Sequence, residues 1–251
     1  MKKLTILLLL VMVSAMMLFT GCAKDDDITG IPVIDDTNYD WDITIMASDF
    51  KSAEYLIWAD WLGSSSAITD TDEFTLDIDG QTHELMGGYD DGDWSFFSTA
   101  ELNSGELYNL VFKKNGNQVA AKNFRIPYQP TVTFPSTFDP TKTAKVTWQL
   151  TADNKYQAIA LFSEGEDEDD EYFKDISASA RTFTFPANSV ESYGPNTGYG
   201  MMLVEASFEK VGRVAFSGMS VTQQEYGQGV PAKFEASNLR KIAKNLRQRM
   251  Q

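Results

Sequence analysis

The chain has 251 residues, 43% hydrophobic and 23% charged, enough apolar content for packed cores in one or two domains of ordinary size. A single cysteine and a single histidine exclude an intrachain disulfide, a thiolate cluster and a multi-histidine metal site, and leave little material for acid–base chemistry near neutrality. The formal net charge of −15 argues against a nucleic-acid-binding body, and nucleic acid is not expected among the partners.

Met1-Lys2-Lys3 is followed by an apolar run from Leu4 to Phe19. A basic start and a run too short to span a bilayer predict a secretory signal over residues 1–21. The run ends in Phe19-Thr20-Gly21-Cys22, which resembles the lipobox of bacterial lipoproteins, with Phe19 standing where that motif usually has leucine. The resemblance implies cleavage before Cys22, lipidation of Cys22 and a stable membrane anchor. The next residues, Ala23-Lys24-Asp25-Asp26-Asp27, are similar to the export signal of surface lipoproteins in Bacteroidota. That likeness implies an outer-membrane protein facing the medium. Read from its residues alone, the same stretch is a solvated acidic spacer. Residues 22–38 form the lipidated tether in either case. Loss of Lys2 and Lys3 leaves 19 basic against 36 acidic residues, a mature balance of −17.

From Tyr39 the signal is β. Tyr39, Trp41, Ile43 and Ile45 alternate with polar residues, the two-residue period of a half-buried strand. Tyr55–Leu62 is nearly continuous in apolar residues and predicts a central strand covered on both faces. Phe74, Leu76 and Ile78 alternate again, and Asp79-Gly80 supplies a tight turn into Thr82–Met86. Trp94–Phe97 predicts a short strand. Leu107–Phe112 and Val119–Ile126 flank Asn115-Gly116, a second hairpin signal. These strands predict a first sandwich over residues 39–127. Ile126-Pro127-Tyr128-Gln129-Pro130 predicts the linker, because two prolines stiffen the chain and interrupt a ladder.

The second unit, residues 130–227, repeats the plan, with strands expected at Lys145–Trp148, Tyr156–Phe162, Arg181–Phe185, Tyr199–Phe208 and Arg213–Val221. The Lys145–Trp148 strand with its core Trp, Val190 followed by Tyr199-Gly200-Met201-Met202-Leu203-Val204, and Leu102–Tyr108 in the first unit resemble fibronectin type III-like and immunoglobulin-like modules. The resemblance implies an all-β chain of two tandem antiparallel sandwiches. It also implies that Tyr108 and Tyr199 lock corners by burying their rings and bonding their hydroxyls to nearby backbone.

Residues 233–251 change character. Leu239, Ile242, Ala243, Leu246 and Met250 recur at helical spacing, with Ser237 placed to cap, and Arg240, Lys241, Lys244, Arg247 and Arg249 fill the other faces. This predicted amphipathic helix carries six basic residues and one acid, +5, which leaves −22 for residues 22–232. Three readings stay open for its basic side chains, Arg240, Lys241, Lys244 and Arg247 among them. They dock on the chain's own acidic body, meet an anionic membrane surface, or hold a partner protein in helix-in-groove fashion.

Catalytic constellations are not evident in the sequence. There is no Gly-x-Ser-x-Gly elbow and no phosphate-binding glycine loop, and His83 reads as a solvated strand residue. The densest charge is the run Glu164, Glu166, Asp167, Glu168, Asp169, Asp170 and Glu171 around Gly165. It is expected as a loop between strands, and its hard oxygens suit Ca²⁺, the one cofactor the sequence suggests. Read blandly, it is a solvated loop. Tryptophan faces stack on sugars, and Trp94, Trp61 and Trp58 are the candidates. Trp58 and Trp61, three apart on one strand, point to opposite faces, while Trp94 is expected nearest the surface. The expected function is therefore non-enzymatic: a lipid-anchored envelope protein that binds or adheres at the outer surface, with a glycan or an envelope protein as partner. The alternatives are a structural subunit docking through the C-terminal helix and a calcium-dependent module.

Overall fold

The computed structural model describes residues 40–47, 54–63, 67–90, 93–165 and 169–227. Cys22 and the tether, Glu166, Asp167 and Glu168, and Arg240, Lys241, Lys244 and Arg247 lie outside them. Within the described residues the chain is all β, with eleven strands in one sheet and three in another.

The first half contributes β1 (Trp41–Ala47), β2 (Glu54–Trp61), β3 (Phe74–Ile78), β4 (Gln81–Asp90), β5 (Asp93–Glu101), β6 (Leu107–Lys114) and β7 (Asn117–Arg125). The two hairpin turns form where the sequence predicts them. Asp79 and Gly80 take φ of 49° and 84°, and Asn115 and Gly116 take 51° and 75°, the left-handed pair that joins twisted strands in two residues. β4 pairs with β3 through residues 81–85 and with β5 through residues 86–90, so one bent strand serves both layers. Between the layers, Trp41, Ile43 and Ile45 of β1 and Tyr55, Ile57 and Ala59 of β2 meet Phe74, Leu76, Leu110, Phe112 and Phe124. The corner expected at Tyr108 is present: its hydroxyl accepts the Asn103 N–H at 2.8 Å and donates to Glu106 at 3.1 Å.

The second half contributes β8 (Thr131–Thr133), β9 (Ala144–Gln149), β10 (Tyr156–Glu164), β11 (Asp169–Ile176), β12 (Thr182–Phe185), β13 (Gly198–Val211) and β14 (Val214–Tyr226). The small sheet β12–β9–β8 packs Val146, Trp148 and Phe185 against Ile159 and Leu161 of β10 and Met201 and Leu203 of β13. Trp148 is core, as its strand implies. Tyr199 is buried and its ring meets Phe138 edge-on at 5.1 Å. A hydroxyl-to-backbone bond here comes from Tyr226, which donates to the Pro135 carbonyl at 2.9 Å.

One expectation needs correction. The sequence reads as two antiparallel sandwiches in tandem, residues 39–127 and 130–227. Instead, β1 pairs in parallel with β14, from Trp41 against Val214 to Met46 against Met219, and the large sheet runs unbroken as β11-β10-β13-β14-β1-β2-β5-β4-β3-β6-β7. The first half of β14 therefore completes the first sandwich, placing Val214 and Phe216 in its core. The second half belongs to the other, where Tyr226 packs against the core. The linker expected at residues 126–130 crosses this shared sheet. A Cβ on Gly218 would stand 2.8 Å from both Phe124 and Pro127, so the bare glycine is what lets the linker lie down. Asn154 satisfies the backbone beside it, accepting the Tyr128 N–H at 2.7 Å and donating to the Tyr128 carbonyl at 2.9 Å.

Both cores sit on one face of the large sheet. The reverse face is also apolar and buried. It carries Met46, Trp58, Ala160, Met202, Val204, Met219 and Val221, and every member of this third cluster comes from strands of that one sheet. The buried patch stops at β4, where Met86 on the same face is 55% exposed.

Candidate functional site

The parallel join builds a cleft at one end of the first sandwich. β1 starts beside the β13–β14 hairpin, whose tip turns on Gly212 at φ 59°. The Asp40 N–H donates to the Arg213 carbonyl at 2.8 Å, and the Leu62 N–H to the Asp40 carbonyl at 2.9 Å. These bonds hold the ends of β2 and β14 on either side of β1. Between them opens a cleft of about 380 Å³ lined by Trp41, Trp61, Ile68, Val119, Val211 and Val214. Trp61 is half-buried and meets Trp41 edge-on, ring centres 5.0 Å apart. Gly63 folds back over the Trp61 ring, and a Cβ there would stand 2.5 Å from it.

Charge is confined to the rim. Arg213 pairs with Asp40 at 2.7 Å. Lys114 pairs with Asp72 at 2.9 Å, donates to the Ala67 carbonyl at 3.0 Å, and stands 5.8 Å from the centre of the Phe74 ring. The Lys114 hydrogen bond, with those of Asn115 and the Thr69 N–H, holds the Asp72 carboxyl down at about 2. An apolar floor with aromatic walls and a rim of fixed ion pairs is chemistry for holding a flat, partly apolar ligand.

Of the sequence candidates among the described residues, Trp61 alone lines this cleft. Trp58 is 6% exposed on the reverse face, with its ring edge-on to Phe97 at 6.0 Å. Trp94, expected near the surface, is 7% exposed instead and stacks on Phe96 at 6.0 Å and 7°. The reason is register: Trp94 opens the strand predicted at Trp94–Phe97, but it pairs with Trp61 and Tyr89 and shares the core-facing side of β5 with Phe96. Trp41, Asp40 and Arg213 escaped the sequence reading. They meet only through the β1–β14 pairing, which leaves no local signal.

The acidic run also differs from expectation. Its described residues belong to strands, with Glu164 ending β10 and Asp169, Asp170 and Glu171 opening β11, a strand absent from the sequence prediction. Pairing alternates their side chains between two faces. Asp170 accepts the Glu191 N–H at 2.9 Å and the Glu171 N–H at 2.8 Å, so it pins the loop between β12 and β13. Among the described residues no group of three or more His, Cys, Asp or Glu is placed to hold a metal. His83 Nδ1 lies 3.1 Å from the Thr99 carbonyl, on the strand where its solvated reading put it.

A second polar cluster lies beneath the linker. Glu205 of β13 is fully buried and accepts from Asn154 Nδ2 at 2.9 Å. Its neighbours by register are Gln157 of β10 and Ser220 of β14, both buried. Burial pushes the Glu205 carboxyl up to about 8 against the opposing pull of the Asn154 bond and the Arg181 charge. It is a neutral acid wedged under the linker, closed off from solvent.

No protein family and no curated protein matches this sequence. Among solved structures, the FN1–FN3 domains of chicken contactin (CNTN1) align over 75% of this chain at 7% identity with a TM-score of 0.27. The chain spans 64% of that structure's length. A likeness of this degree fixes neither topology nor function, and the all-β assignment rests on the strands themselves.

Proposed function

We propose that this chain is a non-enzymatic binding module, lipid-anchored through Cys22 at the outer face of the outer membrane, with the cleft beside Trp61 as its ligand site. Its two halves are read as immunoglobulin- or fibronectin III-like sandwiches modified by their shared strand. The observation that carries the reading is the cleft itself: Trp41 and Trp61 set at an angle over an aliphatic floor, ringed by Asp40–Arg213 and Lys114–Asp72. The ligand class that fits is a sugar ring. Its C–H face packs on an indole, and its hydroxyls reach the carboxylate and guanidinium at the rim. The tether of residues 22–38 holds the cleft away from the membrane.

The test is a fluorescence titration of the mature protein with soluble oligosaccharides of varied linkage, repeated on Trp61→Ala and Arg213→Ala. A saturable change lost in Trp61→Ala and weakened in Arg213→Ala, with both variants melting as wild type, supports the site. Binding that survives Trp61→Ala sinks it. Protease shaving of intact cells tests the location. Removal of the body by external protease supports the surface reading, and its survival until the outer membrane is broken refutes it.

A further inference from the structure

The reverse face of the large sheet is buried, yet the strands alone do not account for its burial. Met46, Trp58, Met202, Val204, Met219 and Val221 are each 6% exposed or less, and their cluster draws no residue from the small sheet or from β3, β6 or β7. A twisted sheet buries one face only under another layer. We propose that this layer is the chain's own C-terminal segment, residues 233–250, lying as an amphipathic helix across the sheet.

Three features select this occupant. The first is length. A helix of that segment is about 27 Å long at roughly 1.5 Å per residue. The buried residues lie on β10, β13, β14, β1 and β2, and the partly buried Phe173 and Phe97 extend the apolar face to β11 and β5, a width of about 29 Å at roughly 4.8 Å between strands. The second is pattern. Leu239, Ile242, Ala243, Leu246 and Met250 form one apolar stripe with basic residues on both flanks. The sheet offers an apolar centre, three of whose side chains are adaptable methionines. Acids share its face at both ends: Glu164, Glu171 and Asp175 by their β10–β11 register, and Asp42 and Asp60 by their β1–β2 register. A segment of charge +5 on a body of −22 orients itself on such a surface. The third is connection. β14, which contributes Met219 and Val221 to this face, ends at Tyr226, so only a short stretch of chain separates the segment from a strand of the face it would cover. The inference is independent of the ligand site at the Trp61 cleft.

Thiol labelling tests it in the full chain. In a Cys22→Ser background, Met46→Cys reports the reverse face and Leu76→Cys, in the first core, reports global unfolding. Maleimide should modify both slowly. Leu239→Asp combined with Leu246→Asp should speed Met46→Cys labelling by roughly 100-fold and leave Leu76→Cys unchanged, the signature of a local opening. If the aspartates also release Leu76→Cys, the charge reversal Lys241→Glu with Arg247→Glu, which keeps the apolar stripe, replaces them. It should then speed Met46→Cys labelling at low salt. Fast labelling with the segment intact, labelling indifferent to both sets of substitutions, or protection that grows with protein concentration would each overturn the proposal. The last outcome would give the face to a second copy.

Discussion

Replacing Glu205 by Gln tests the buried acid beneath the linker. Its carboxyl is raised from 4.5 to about 8, first by burial. Below pH ~4.5 it is protonated in the folded and unfolded chain alike and adds no pH dependence. Between there and pH ~8 the unfolded chain has released the proton and the folded chain keeps it. The unfolded state then binds fewer protons, and stability falls by roughly 1.4 kcal/mol per pH unit. At pH 7 the accumulated cost is about 3 kcal/mol, levelling near ~5 kcal/mol above pH 8. Gln cannot ionise and keeps an oxygen for Asn154. Its amide group adds a pH-independent cost, so the pH-dependent part of the difference is the quantity to measure. Urea unfolding of both proteins at pH 4, 5.5, 7 and 8 should show Glu205→Gln gaining about 2–3 kcal/mol relative to wild type between pH 4 and pH 7. That corresponds to a rise of several degrees in Tm for a chain of this size. A difference flat across this range would refute the neutral-acid reading.

Gly218→Ala should destabilise by about 1–3 kcal/mol in thermal melts, because the added methyl stands 2.8 Å from Phe124 and Pro127 and lifts the linker off the sheet. Tyr108→Phe should cost about 1 kcal/mol in the same assay by removing the hydroxyl that accepts the Asn103 N–H and donates to Glu106. Gly63→Ala should displace the Trp61 ring and weaken ligand binding while changing Tm little, since the clash falls on a side chain and not on backbone. An NMR titration should place Asp72 near 2, and Lys114→Met should move it upward; the stabilisation from this pair is present above pH ~3.8 and is lost as pH falls toward 2.

Local order was largely legible in the sequence. Period-two alternation located β1 and β3, and Asp79-Gly80 and Asn115-Gly116 named their turns because few residues tolerate positive φ. Tyr108 announced its corner. What escaped depends on partners far away in the chain. β11 carries acids and aromatics with no clean alternation, since only the pairing to β10 orders it. Trp94 opens its predicted strand, but nothing local signals that the face it shares with Phe96, and not that of Phe97, meets the first core. The cleft was half visible: Trp61 could be singled out as an aromatic, but its setting comes from Trp41, Asp40 and Arg213. Apolar patterning specifies that Trp41 and Val214 are strand residues. It does not specify that they are neighbours.

The pairing of β1 with β14 also governs the order in which the molecule can be assembled. Asp42 and Ser217, joined across it, are 175 residues apart. The first sandwich lacks a strand of its main sheet until nearly the whole chain has been made, so its hairpins cannot settle early as a finished domain. Contacts this distant slow folding, because the loop must close before the contact rewards it. The leading half therefore stays an open sheet until β14 arrives, and closure of the first sandwich is a late event of folding rather than an early one.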